Sequence, residues 1–173
     1  TVKVVIKPGP KADFTYTNAG CLKDTVRFSS AITAAGFNII QHLWNFDDNT
    51  TANTSNTSKK FNTAGTQNIR FRIYADNGCA GDTTKQININ YSPIAKLGVT
   101  SIGCDKDSVL ISDTSSITVG SVTSWYYNFG DGNTLTRTVA TPFNYAFANA
   151  GTYTIKLVTT SNSGCISDTA FKT

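Results

Sequence analysis

The stretch WYYNFGDGN, Trp125 to Asn133, sets three aromatic residues beside an acidic, glycine-rich turn. Such a turn could cradle phosphate on backbone amides, hold calcium on carboxylate and carbonyl oxygens, or simply reverse a strand. A phosphate cradle needs a following helix and usually Lys or Arg, and NFGDGN has neither. Calcium is the candidate ion, with Asp131 and Asn133 here and Asp47, Asp48 and Asn49 in the related stretch WNFDDN as its oxygen donors. The regular Asp spacing of a calcium loop is missing, and no other cofactor is indicated.

No catalytic residue is assigned. The single histidine, His42, lies between Gln41 and Leu43 in a strand-like setting, and no serine sits in a strand-to-helix elbow. Acid–base work by two carboxylates needs environments that separate their pKa values, whereas Asp47 and Asp48 are neighbours in one turn. The fragment is expected to be non-enzymatic, although a neighbouring domain could be an enzyme. Trp125, Tyr126, Tyr127, Tyr145 and Tyr153 could stack on sugars if exposed, or fill a core if not.

The elements that position these residues are strand-like. ADFTYT, TVRFSS, NIRFRIYA and KQININY alternate in the first half, as do SVLIS and TYTIKLVTT in the second. Alternation predicts Phe71, Ile73, Ile155 and Leu157 in a core, with Arg70, Arg72 and Lys156 in water. No amphipathic helix is indicated. The polar segment from Asp47 to Lys60 is expected to be an exposed, mobile connection. Gly65 and Gly151, each in an AGT triplet, are expected to adopt positive φ in tight turns.

The chain of 173 residues carries a net charge of +4, with 39% apolar and 15% charged residues. It is too apolar for disorder, and its basic residues are too scattered for a nucleic-acid footprint. No apolar run approaches the roughly 20 residues that span a bilayer, so direct membrane insertion is not expected.

An offset of 83 residues superposes GPKADFTYTNAGCLKDTVRF on SPIAKLGVTSIGCDKDSVLI and WNFDDN on YNFGDG. The offset then becomes 86, and FNTAGTQNIRFRIYADNGC meets FANAGTYTIKLVTTSNSGC. Two repeats are therefore expected at residues 8–91 and 92–173, the second lacking part of its last strand. Residues 1–7 align with the end of the first repeat and are read as the last strand of a preceding copy, so the chain reads as an internal cut from a longer tandem array. Repeats of this length with six or seven short strands suit two-sheet sandwiches. Adjacent repeats of the same polypeptide are then the first expected partners.

Each repeat holds two cysteines, 58 residues apart in the first and 61 in the second. Four cysteines allow three pairings. The repeat favours Cys21 with Cys79 and Cys104 with Cys165, each unit closing its own bond; four buried free thiols are the alternative. Oxidised cysteines imply an extracellular or periplasmic setting.

These motifs resemble the PKD domain family, immunoglobulin-like β-sandwich modules named for polycystic kidney disease protein. The family's W-x-F-G-D-G centre is matched by Tyr127, Phe129, Gly130, Asp131 and Gly132, and more loosely by Trp44, Phe46 and Asp47 to Asn49. Its downstream Y-x-x-x-G-x-Y-x-V-x-L-x-V resembles Phe147, Gly151, Tyr153, Ile155, Leu157 and Thr159. The resemblance implies an all-β fold of tandem immunoglobulin-like, PKD-type β-sandwiches. The endings NGCAGDT and SGC-x-x-D-T are similar to cysteine-containing repeats of large secreted Bacteroidetes adhesion and gliding proteins exported by the type IX route. That likeness implies a spacer or stalk at the outer surface of a Gram-negative bacterium. A glycan- or protein-binding adhesin module, or accessory domains of a secreted hydrolase, are the alternatives. The same likeness implies O-glycans at Thr25, Thr83, Ser108 and Thr169, each preceded by Asp; otherwise these are Asp turns leading into strands.

Overall fold

A computed structural model describes residues 3, 8–17, 20–34, 36–100 and 108–173. The chain forms two compact units, Thr1–Ile89 and Asn90–Thr173. Their described residues contain strands and no helix, and no helix is long and apolar enough to cross a membrane. The expectation for residues 1–7 as a preceding strand falls, Lys3 apart, outside the described residues.

The first unit comprises β1 (Lys11–Thr17), β2 (Thr25–Thr33), β3 (Ile39–Asn45), β4 (Thr51–Ala52), β5 (Asn56–Lys60), β6 (Gly65–Ala75) and β7 (Ala80–Ile89). One sheet has the order β1-β2-β5 and the other β4-β3-β6-β7. The second unit repeats the plan with β8 (Leu97–Val99), β9 (Ser108–Asp113), β10 (Val122–Asn128), β11 (Thr134–Arg137), β12 (Phe143–Ala146), β13 (Ile155–Ser161) and β14 (Ala170–Lys172). Its sheets are β12-β9-β8 and β11-β10-β13-β14, and every pairing is antiparallel. The fold is all-β, two tandem β-sandwiches.

Alternation decides which side chains enter each core. Along β6, Gln67, Ile69, Phe71, Ile73 and Ala75 are buried while Asn68 and Arg70 are exposed. Along β13, Ile155, Leu157, Thr159 and Ser161 are buried and Lys156 is exposed. Arg72 is only half exposed; its guanidinium lies 5.0 Å from the Tyr74 ring centre. Trp44 stacks on Phe71 across paired strands at 4.1 Å, and Phe14 and Phe28 approach it from the opposite sheet at 5.2 and 5.7 Å. These rings join the two sheets of the first sandwich.

Two sequence expectations fail. The segment from Asp47 to Lys60 contains β4 and β5, and β5 extends the first sheet by pairing Thr25–Ser29 with Lys60–Asn56. NTSKK carries no apolar residue, so nothing in its composition marks a strand. Its alternation is nevertheless real, with Thr57 and Lys59 turned inward by the pleat. Gly65 does take a positive φ of 102°, but Gly151 lies outside that region. There the ring of Tyr153, stacked on Phe147 at 4.1 Å with its hydroxyl donating to the Asn149 carbonyl, shapes the loop instead.

Candidate functional site

The acidic turns end β3 and β10, and the same bond closes both. The amide of Phe46 donates to the Thr50 carbonyl, and that of Phe129 to the equivalent Asn133 carbonyl. Asp48 accepts from the Thr50 amide at 3.1 Å, and Asp131 from the Asn133 amide at 2.9 Å. The turn requires a left-handed residue at one shared position, occupied by Asn49 at φ 62° and by Gly132 at φ 95°. Asn tolerates that region better than most side chains, which is why the first repeat bends without its glycine. Gly130, at φ 80°, carries a further restriction, because a Cβ there would lie 2.7 Å from the Thr154 carbonyl oxygen. In the first repeat Asp47 holds this position, and its carboxylate accepts from the amide and side chain of Asn68, the counterpart of Thr154.

A side chain from the neighbouring sheet then reaches each aspartate. Lys59 on β5 forms an ion pair with Asp48 at 2.6 Å, its ammonium 5.1 and 5.8 Å from the ring centres of Phe46 and Phe61. In the second repeat Tyr145 on β12 stacks on Phe129 at 3.5 Å and donates its hydroxyl to Asp131 at 2.7 Å. The hydrogen bond from Lys59 is the main reason that the Asp48 carboxyl is lowered to about 2. Burial acts to raise Asp131, but hydrogen bonds from Tyr145 and Asn133 outweigh it and leave that carboxyl below its ordinary value. Burial, with the bond to Asp131, raises the Tyr145 hydroxyl.

These contacts describe a structural clasp. The calcium candidates Asp47, Asp48, Asn49, Asp131 and Asn133 are divided between two turns, one in each unit. The three carboxylates already accept hydrogen bonds or an ion pair from protein groups. Among the described residues no group of three or more His, Cys, Asp or Glu could hold a metal ion. His42 lies against Phe71, ring centres 6.2 Å apart.

The aromatic candidates separate. Trp125 and Tyr127 are buried, Tyr145 and Tyr153 are held by ring stacking and hydroxyl bonds, and Tyr126 is exposed. Trp44 is buried and donates its indole N–H to the Thr54 carbonyl, whereas the buried N–H of Trp125 has no hydrogen-bond partner among the described residues. The motif residues Trp44, Phe46, Tyr127 and Phe129 are thus core residues at the base of each turn.

The sequence pattern of the PKD domain family matches residues 7–91 and again residues 90–173. The chain belongs to the PKD domain family. Fibronectin(III)-like modules of Clostridium thermocellum CbhA share 12% identity with this PKD tandem, over 92% of it and 91% of their own chain, at a TM-score of 0.42. A two-domain fibronectin type-III segment of chicken tenascin shares 13%, over 95% and 98%, at 0.41. A 1.5-MDa bacterial ice-binding adhesin shares 12%, over 97% and 65%, also at 0.41. Likeness at this level says nothing of function.

The PKD repeat does not close its own disulfide in the first unit. Cys79 carries a free thiol, while Cys21 and Cys165 are disulfide-bonded. The reason is topological. Cys21 lies in the turn after β1, beside Asp24 and close to Phe61, which precedes β6. Cys79 lies in the turn between β6 and β7, where its Cβ is 4.0 Å from the position a Cβ on Gly9, just before β1, would take. The seven residues of β1 separate those ends by roughly 20 Å, against the 4.4 to 6.8 Å between Cα atoms that a disulfide allows. The expected Cys104–Cys165 pairing involves Cys104, which lies outside the described residues.

The Lys59–Asp48 pair makes a pH prediction. A carboxyl lowered from 3.8 to about 2 adds stability that is fully present above pH 4 and is lost as pH falls through about 2. Asp48→Asn should flatten the acid limb of unfolding between about pH 4 and 2. The slope due to Asp13, lowered by Lys85, should remain. An unchanged acid limb, followed by tryptophan fluorescence, would show that the pair is not coupled to folding.

Proposed function

We propose that this PKD tandem is a non-catalytic spacer or stalk segment of a large secreted or cell-surface protein, in an adhesin or gliding-associated filament of a Gram-negative bacterium. The observation that carries the reading is the engagement of the turn groups: the carboxylates that could bind an ion and most of the aromatics that could bind a sugar hold the sandwiches together instead. A short connection also favours it. β7 ends at Ile89 and Ile94 is already bridged to Ser116, so only residues 90–93 join the units, with Pro93 restricting one of them. The oxidised state of Cys21 and Cys165 supports an extracellular setting.

Tyr126 and Phe171 favour a second reading as a glycan- or protein-binding module. Both are exposed, and strand register puts them on the outer face of the β11-β10-β13-β14 sheet. A glycan array probed with the 173-residue chain tests the two. The spacer reading expects no saturable binding; binding that is lost in Tyr126→Ala and Phe171→Ala would replace it with the second.

O-glycans at Thr25, Thr83, Ser108 and Thr169 belong to the same surface proposal. Ser108 and Thr169 are exposed, whereas Thr25 and Thr83 are half-buried within strands. Asp24 accepts from the Cys21 amide and Asp82 pairs with Arg70, contacts that an Asp turn and a strand pair explain without a sugar. Native material should show intact masses raised by sugar increments, and a bare polypeptide mass would remove the glycans.

A further inference from the structure

The two PKD repeats place Cys79 and Cys165 in the same local structure. Each follows a glycine of positive φ, Gly78 or Gly164. Each carbonyl accepts from the amide four residues earlier, that of Ala75 or Ser161. Cys165 is disulfide-bonded and fully buried, while Cys79 is free and half-buried. The equivalent position is therefore a bonding position, and the first unit holds one thiol there without its partner.

That partner cannot come from the same repeat. Cys21, the other cysteine of the first unit, is already bonded and occupies the far end of the sandwich. Cys21 shares its end with Gly65 and Ile89, the paired residues where the chain leaves the unit. Cys79 shares its end with Gly9 and Pro10, where the chain enters: a Cβ on Gly81, two residues after Cys79, would fall on the Pro10 carbonyl. The first repeat thus carries one cysteine at its inlet and another at its outlet.

We propose that Cys79 forms a disulfide with the outlet-end cysteine of the repeat that precedes it in the polypeptide. Its Sγ bonds to the partner Sγ, two protons are released, and two electrons pass to a disulfide oxidant, which is reduced to a dithiol. The bond would fasten successive repeats, resisting separation under tension at a point where the backbone alone would yield. This rests on the reading of the chain as one stretch of a longer array.

Non-reducing peptide mapping of the native polypeptide, with free thiols first blocked by iodoacetamide, tests it. The tryptic peptide from Ile73 to Lys85 should be recovered joined through Cys79 to a peptide of the preceding repeat. Recovery joined to the peptide from Ala12 to Lys23, which holds Cys21, would overturn the proposal. So would recovery as the alkylated thiol, or joined to a separate polypeptide. A parent sequence with no repeat upstream would instead defeat the array reading, whatever the state of Cys79.

Discussion

Each sandwich depends on a clasp between its two sheets: a side chain from the fifth strand crosses the core phenylalanine and holds the aspartate of the acidic turn. In one unit the clasp is Lys59 to Asp48, an ion pair beside Phe46; in the other it is Tyr145 to Asp131, a phenol stacked on Phe129. Cation and phenol share little chemistry beyond a polar tip on an apolar body. That combination is what the position demands, since the body must cover a ring and the tip must reach a carboxylate. The turn that most resembles an active site is in this way part of the packing.

The clasp also explains which parts of the sequence could be read directly. The repeat, the alternation of β2, β6 and β9 and the aromatic turn motif were legible, because burial on one face of a strand leaves a period-two signature. β5 was not, since Thr57 and Lys59 take the inward positions that Phe143 and Tyr145 fill in β12. A comparison of the two repeats exposes it: FNYA in one copy identifies NTSKK as a strand in the other.

The cysteines show the opposite limit. Repetition marks Cys79 and Cys165 as equivalents, and both sit in the same turn, but equivalence of position does not bring two residues together. Whether Cys21 can meet Cys79 depends on which end of a sandwich each turn occupies, and strand direction, not spacing, sets that. The same topology that keeps them apart places one at the inlet and one at the outlet of the chain. The positive φ expected at Gly151 is absent because the side chain of Tyr153, close by in the sequence, fixes the backbone there.

The most direct measurement of the clasp is a double-mutant cycle on the second unit, combining Asp131→Asn with Tyr145→Phe. Urea unfolding would be followed by Trp125 fluorescence in a Trp44→Phe background, so that one unit is observed alone. A clasp predicts a coupling of about 1 kcal/mol or more between the two substitutions, because each removes a partner of the same charge-assisted bond. Strictly additive effects would contradict it, and would leave the acidic turn without its structural role.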